Sequence, residues 1–175
     1  MEPSGIDAYR LGRAYAVMPI DMVPEACVDV AAGPITFVVE SRRLTDEAII
    51  ASAEEQGRRD AIDEPDGLDD GGASLHVLAT ADRLEHLRFD CFENEPHYHY
   101  IRNAESSNVV VRIDTFAVGD PRAWALSCVR ERLPEMLEHA GATDLADQVR
   151  SHPVSALSAA LARIEALLDA AAAVP

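Results

Sequence analysis

Two histidines separated by one residue, His97 and His99, stand in the run Pro96-His97-Tyr98-His99-Tyr100-Ile101, shortly after Cys91. Neutral imidazole nitrogens and thiolate sulfur are both good ligands for transition metals. On an extended chain, residues two apart share a face about 7 Å from each other, and directly paired residues on neighbouring strands lie about 5 Å apart. His97, His99 and Cys91 are therefore the expected ligands of a divalent zinc, iron or copper ion, bound at about 2.0–2.3 Å. His76, Glu93 and Glu95 are candidates for a further ligand or a substrate contact, as are Tyr98 and Tyr100. Asp114 is an alternative carboxylate ligand, and two imidazoles with one carboxylate form a common non-haem iron arrangement. A position left open for water or substrate would suit a metal-dependent oxidoreductase or hydrolase. The same residues would also serve a metal-free pocket, where the histidines and Tyr98 or Tyr100 hydrogen-bond a small organic ligand. A third reading makes them ordinary cross-strand packing, with Cys91 a small hydrophobe.

Two hairpins must position these groups. Strand-like runs cover Ser74–Thr80, Leu84–Phe92, Pro96–Ile101 and Asn108–Phe116, with short polar connections that force antiparallel neighbours. If Ala81-Asp82 is a two-residue turn, His76 falls opposite Leu87. If Glu93–Glu95 is a three-residue loop, Cys91 faces His97 and Phe89 faces His99. One face then collects His76, Leu87, Phe89, Cys91, His97, His99 and Ile101. The other collects His86, Arg88, Asp90, Tyr98 and Tyr100.

The remaining elements are legible from caps and periodicity. Ile35–Glu40 is a β-branched strand run after Gly33-Pro34, and Thr45 caps a helix that Gly57 stops. Asp120-Pro121 opens a helix in which Leu126, Val129, Leu133, Met136 and Leu137 share a face. Pro134 should kink or restart it, and Gly141 ends it. A short helix near Asp144–Arg150 follows, and Pro153 starts a last one with the seam Leu157, Leu161, Ile164, Leu168 and Ala171. The acidic, glycine-containing stretch 60–73 reads as an exposed loop, and its oxygen-bearing positions do not follow the EF-hand spacing for calcium. The expected fold class is α+β. A single domain over 1–175 would hold an antiparallel β-meander of about four to six strands, packed against helices from the stretch 120–173.

Composition narrows the function classes. The 175 residues carry a formal charge of −16, and all 15 basic residues are arginine. Such a field repels phosphate backbones and anionic lipid, so neither nucleic acid nor a membrane is an expected partner. Three cysteines spread along the chain do not read as a disulfide framework. Met1–Gly12 has no charged segment leading into an apolar one, and no apolar run approaches the span of a bilayer, so the cytoplasm is the expected compartment. Beside the enzyme reading stands a non-catalytic accessory or interaction protein, homodimeric through the last helix or an exposed strand.

Other patterns are weaker. Glu105 falls near, but not at, the cupin spacing after His99, and a second cupin-type motif is missing. Glycine-rich phosphate loops, G-x-S-x-G elbows and C-x-x-C pairs are all missing. Trp124 and Cys128 read as core. Together, the runs LRFDCFENEPHYHYI (Leu87–Ile101) and GDPRAWALSCVRERLPEMLEHAGATDLA (Gly119–Ala146) resemble an uncharacterised bacterial family known as a domain of unknown function. The element FDCFxxxPHYHYI is its most distinctive part, and AYAVMPIDMVPE (Ala14–Glu25) fits the same pattern. The resemblance implies no activity, cofactor or fold.

Overall fold

A computed structural model describes residues 12–173, so the leader reading of Met1–Gly12 falls almost wholly outside the described residues. Seven antiparallel strands form one open sheet in the order β1-β7-β6-β5-β4-β3-β2. They are β1 (Arg13–Tyr15), β2 (Cys27–Ala32), β3 (Ile35–Thr45), β4 (Asp69–Ala79), β5 (Glu85–Phe92), β6 (His97–Arg102) and β7 (Ser107–Arg112). Strands β2 to β7 follow one another as a meander, and β1 adds itself beside β7. The class is α+β as expected, with more strands than the expected range because Arg13–Tyr15 and Cys27–Ala32 also pair. Gly33 and Pro34 make the two-residue turn that places Ala32 opposite Ile35. Gly33 has φ +63°, and a Cβ there would strike the His152 ring, so glycine serves both the turn and the close approach.

Among the described residues the sheet is joined by five α-helices: α1 (Asp46–Glu55), α2 (Thr115–Val118), α3 (Pro121–His139), α4 (Thr143–Ser151) and α5 (Val154–Ala172). Thr45 caps α1 by accepting from the Ala48 amide, and Asp120 caps α3 by accepting from Arg122. Helix α3 runs through Pro134 as one element. The expected strand ending at Phe116 stops at Arg112, because Asp114 accepts from the Phe116 and Ala117 amides and opens the single turn of α2.

The two sheet faces differ in kind. Helices α3 and α5 cover one face, and their apolar stripes join Phe37, Val39, Leu75, Val77, Leu87 and Phe89 in the main core. Leu161, Ile164 and Leu168 of α5 are buried there, so these seam residues of the last helix pack on the sheet. The opposite face carries buried polar groups, among them Glu40, Arg42, Ser74, His76, Arg88, Asp90, His99 and Asn108. Helix α1, the segment 15–20 and the segment 62–68 lie over this polar face and enclose a cavity against it. The acidic stretch 60–73 is exposed only in part. Strand β4 already begins at Asp69, and Asp70 is buried. Among the described residues, no helix is long and apolar enough to cross a membrane.

Candidate metal centre and adjoining cavity

Strand β5 (Glu85-His86-Leu87-Arg88-Phe89-Asp90-Cys91-Phe92) alternates charged and apolar side chains over Leu87–Cys91, so its register decides which set meets the histidines. The observed pairs are Asp90 with His97, Arg88 with His99, Phe89 with Tyr98 and Leu87 with Tyr100. This is one residue away from the expected register. The turn between the strands runs wider than three residues, because Asp70 reaches into it. The Asp70 carboxylate accepts from the Asn94 amide at 3.2 Å and the Glu95 amide at 2.7 Å. A second slip occurs on the other side of β5, where a bulge between Val77 and Leu78 places His76 opposite Arg88.

The two slips turn β5 over relative to both neighbours. His76, His97 and His99 do share a face, as expected, but Cys91 does not join them. It lies in the helix-covered core, where burial pushes its thiol pKa up and away from thiolate. Tyr98 and Tyr100 also face the helices: Tyr98 packs on Trp124 at 5.3 Å between ring centres and Tyr100 on His139 at 4.4 Å. Neither can contact a ligand on the polar face. Glu93 is exposed in the turn. Glu95 contributes its carbonyl to His97, while its carboxylate pairs with Arg112 at the rim. Asp114 is occupied as a helix cap.

The residue that does complete the cluster is Asp90. One ligand atom from each of Asp90, His97 and His99 lies within 4.8 Å of the others, and the group could hold a metal ion. Asp90 Oδ2 is 3.3 Å from His97 Nε2 and 3.1 Å from His99 Nε2. Two ligand atoms bound at about 2.1 Å lie about 3.0 Å apart at a right angle and about 3.4 Å apart at the tetrahedral angle. Both observed separations fall inside that interval.

Hydrogen bonds on the far side of each ring fix its proton. His97 Nδ1 is 2.8 Å from the Glu95 carbonyl, which can only accept, so His97 donates from Nδ1. Asn108 donates from Nδ2 to the Val17 carbonyl at 2.6 Å, which turns its Oδ1 toward His99 Nδ1 at 2.9 Å. His99 must donate there as well. Both Nε2 atoms therefore face Asp90 Oδ2, while Asp90 Oδ1 accepts from Ser74. Burial opposes charge on all three groups, yet the two histidines hold the Asp90 carboxyl well below the usual range, so it is ionised. For His97, burial is outweighed by its hydrogen bond to Asp90, and its pKa rises. For His99, burial prevails over Asp90, with His97 and Arg88 adding to it, and its pKa falls. A neutral His99 then points a lone pair at a carboxylate oxygen, an arrangement that a bound cation relieves.

Next to the cluster lies a buried ionic network that sequence reasoning missed. His76 Nδ1 is 2.6 Å from Glu85 and its Nε2 is 3.0 Å from Glu40. Both partners are carboxylates, so the ring is held as imidazolium and is not available as a metal ligand. Arg88 pairs with Glu85 and Arg42 with Glu40. The signal for Asp90 and Arg88 lay in the alternation of β5: pairing its apolar positions with Tyr98 and Tyr100 puts its charges beside His97 and His99.

The cavity over this face measures about 290 Å³, near the lower end of small-molecule sites. His97, His99 and Asp90 line its buried floor, and Asp63, Glu64, Asp66 and Glu95 line its exposed mouth. The chain belongs to the family of a domain of unknown function, DUF7700, which matches residues 29–167. That span includes most of β2, all of β3 through β7 and the whole Asp90–His97–His99 cluster, well beyond the C-terminal half that carried the resemblance, and leaves Ala14–Glu25 outside. No curated protein and no solved structure matches the chain.

Proposed function

We propose that this member of the family is a metal-dependent enzyme acting on a small organic molecule, with Asp90, His97 and His99 as the three protein ligands of one ion. The observation that carries the reading is the pair of fixed Nδ1 protons, which leaves two Nε2 atoms converging on an ionised carboxylate oxygen. Ligating histidines characteristically donate their other ring N–H to a carbonyl or amide oxygen, and both rings do so here. With Cys91 on the other sheet face, the donor set is nitrogen and oxygen only, which favours zinc or iron(II) over thiophilic copper(I). Three ligands leave positions open toward the cavity for water and substrate. A metal there would lower the pKa of bound water or polarise a substrate oxygen.

The test is elemental analysis of untagged protein purified without oxygen, followed by zinc titration. Wild type and Cys91→Ala should hold close to one equivalent of metal. Asp90→Ala and the His97→Ala/His99→Ala double variant should hold less than about a tenth of that, given tight binding that depends on all three ligands. Folded wild-type protein that stays sub-stoichiometric after zinc loading would overturn the reading. Loss of metal from Cys91→Ala, with Asp90→Ala unaffected, would return the site to the sulfur-containing set.

A further inference from the structure

The polar groups that line the cavity are, apart from its floor, already engaged with one another. Arg88 donates from Nε and Nη2 to the Glu85 carboxylate at 2.9 and 2.7 Å, and from Nη1 to the Ile20 carbonyl at 2.8 Å. Arg42 donates to Glu40 and to the Asp21 and Ile20 carbonyls. Asn108 is held on both sides, by His99 and by the Val17 carbonyl. Around the mouth, Arg13 bridges Asp63 with both Nη atoms, Glu64 pairs with Arg59, and Glu95 pairs with Arg112. Asp46 accepts from the Gly67 and Leu68 amides, and Asp66 lies exposed at the rim. Among the described residues, no buried side-chain nitrogen or oxygen lacks a hydrogen-bond partner.

The walls are aliphatic. Ile20, Leu44, Ile49, Ile62, Leu68 and Val110 all line the cavity, each is half-buried, and none belongs to the core beneath the helices. They come from five separate parts of the chain: the segment after β1, strand β3, helix α1, the segment before β4, and strand β7. Aliphatic surface left out of a core marks a groove or an interface. Here it is concave and ends on Asp90, His97 and His99, the make-up of a small-molecule site with a few placed polar groups. A hydroxyl-rich body entering this space would give up hydrogen bonds to water that the walls do not replace. A hydrocarbon body gives up none, and an oxygen at its end meets the floor.

We infer that the cavity takes a small, mainly hydrocarbon molecule with one oxygen-bearing head group, the head group at the Asp90–His97–His99 floor and the hydrocarbon along the walls. The volume of about 290 Å³ suits such a molecule of about ten non-hydrogen atoms, at roughly 30 Å³ each, the share of one water molecule in the liquid. The place of the head group rests on the metal reading. The hydrocarbon body follows from the walls themselves.

Zinc-loaded full-length protein, with its metal content measured on the same sample, should be titrated with acetohydroxamate, butyrohydroxamate, hexanohydroxamate and gluconohydroxamate. All four share a metal-binding head group, and the last two share a chain length but differ in hydroxyl content. Each added methylene should tighten binding by about fourfold, the gain from burying one CH₂. Gluconohydroxamate should bind no more tightly than acetohydroxamate. Val110→Thr keeps the side-chain shape and adds a hydroxyl. It should shrink the gain from acetohydroxamate to hexanohydroxamate and leave the zinc content unchanged. Equal binding of those two probes by zinc-loaded wild type would overturn the inference. Gluconohydroxamate matching hexanohydroxamate would also overturn it, as would no binding of any hydroxamate. Titration of zinc-free protein with 1-butanol and 1-hexanol separates the two readings. Protein that refuses zinc yet binds hexanol more tightly than butanol would remove the metal reading and leave the hydrocarbon body standing.

Discussion

His76 is the residue whose chemistry is most completely determined by its neighbours. It is fully buried between Glu40 and Glu85, and Glu40 and Glu85 are in turn paired with Arg42 and Arg88. Burial opposes its charge, but the hydrogen bonds to the two carboxylates outweigh it, and its pKa is raised. A histidine whose folded pKa lies above its unfolded value contributes stability that is complete below about pH 6.5, the ordinary value, and lost as pH climbs through the folded pKa. Stability of the metal-free protein should therefore fall on the alkaline side of neutrality. His76→Gln should be less stable than wild type at pH 6 and should show a shallower alkaline decline. Denaturant midpoints from pH 6 to 9 check this, and parallel curves for the two proteins would refute it. His97 also has a raised pKa and adds a decline of the same sign, so the difference between the curves, not either slope alone, isolates His76.

At the scale of elements, the β5–β6 hairpin carries the site, and its turn is held from outside by β4. Asp70 accepts from Gly71, from the Asn94 amide and side chain, and from the Glu95 amide, all close to His97. An anionic acceptor in such a cradle contributes about 2 kcal/mol, typical of hydrogen bonds to charged groups. Asp70→Ala should lower stability by about that much and weaken zinc binding by roughly 10-fold or more, as loss of a supporting partner does. Equilibrium unfolding and zinc competition titration measure the two effects. Unchanged zinc affinity in a destabilised variant would show that the turn does not position His97. The same cradle explains the register: a wider turn moves every side chain of β5 to the other face, which exchanges Cys91 for Asp90 in the candidate centre.

Across the whole molecule, one sheet separates two environments. Its helix-covered face is conventional core, and its other face supports charges beneath a cavity. The seam of α5 lies in that core, with Leu161 and Ile164 buried. Leu161→Glu would bury an unpaired carboxylate and should cost more than about 4 kcal/mol. The expected outcome is unfolding or insolubility, seen as loss of the thermal transition. A stable, folded variant of half the wild-type mass in solution would instead show that this seam joins two chains.

Local patterns alone were enough for the α+β class, the meander, the capped helices and the shared face of His97 and His99, whereas His76 joins that face as expected only because the two one-residue register shifts on either side of β5 cancel. Each of those local readings depends on neighbouring residues: turn signals, caps and the alternation of side chains along one strand. The identity of the third group beside the histidines was beyond that reach. It depended on a carboxylate from the acidic stretch reaching a turn 24 residues later and on a bulge opposite β5. A shift of one residue costs little in local propensity but inverts a whole strand. Only packing against the helices on one side and the buried charges on the other decides between the two alignments. The cavity likewise needed three distant segments brought over the same sheet face, a proximity no local pattern encodes.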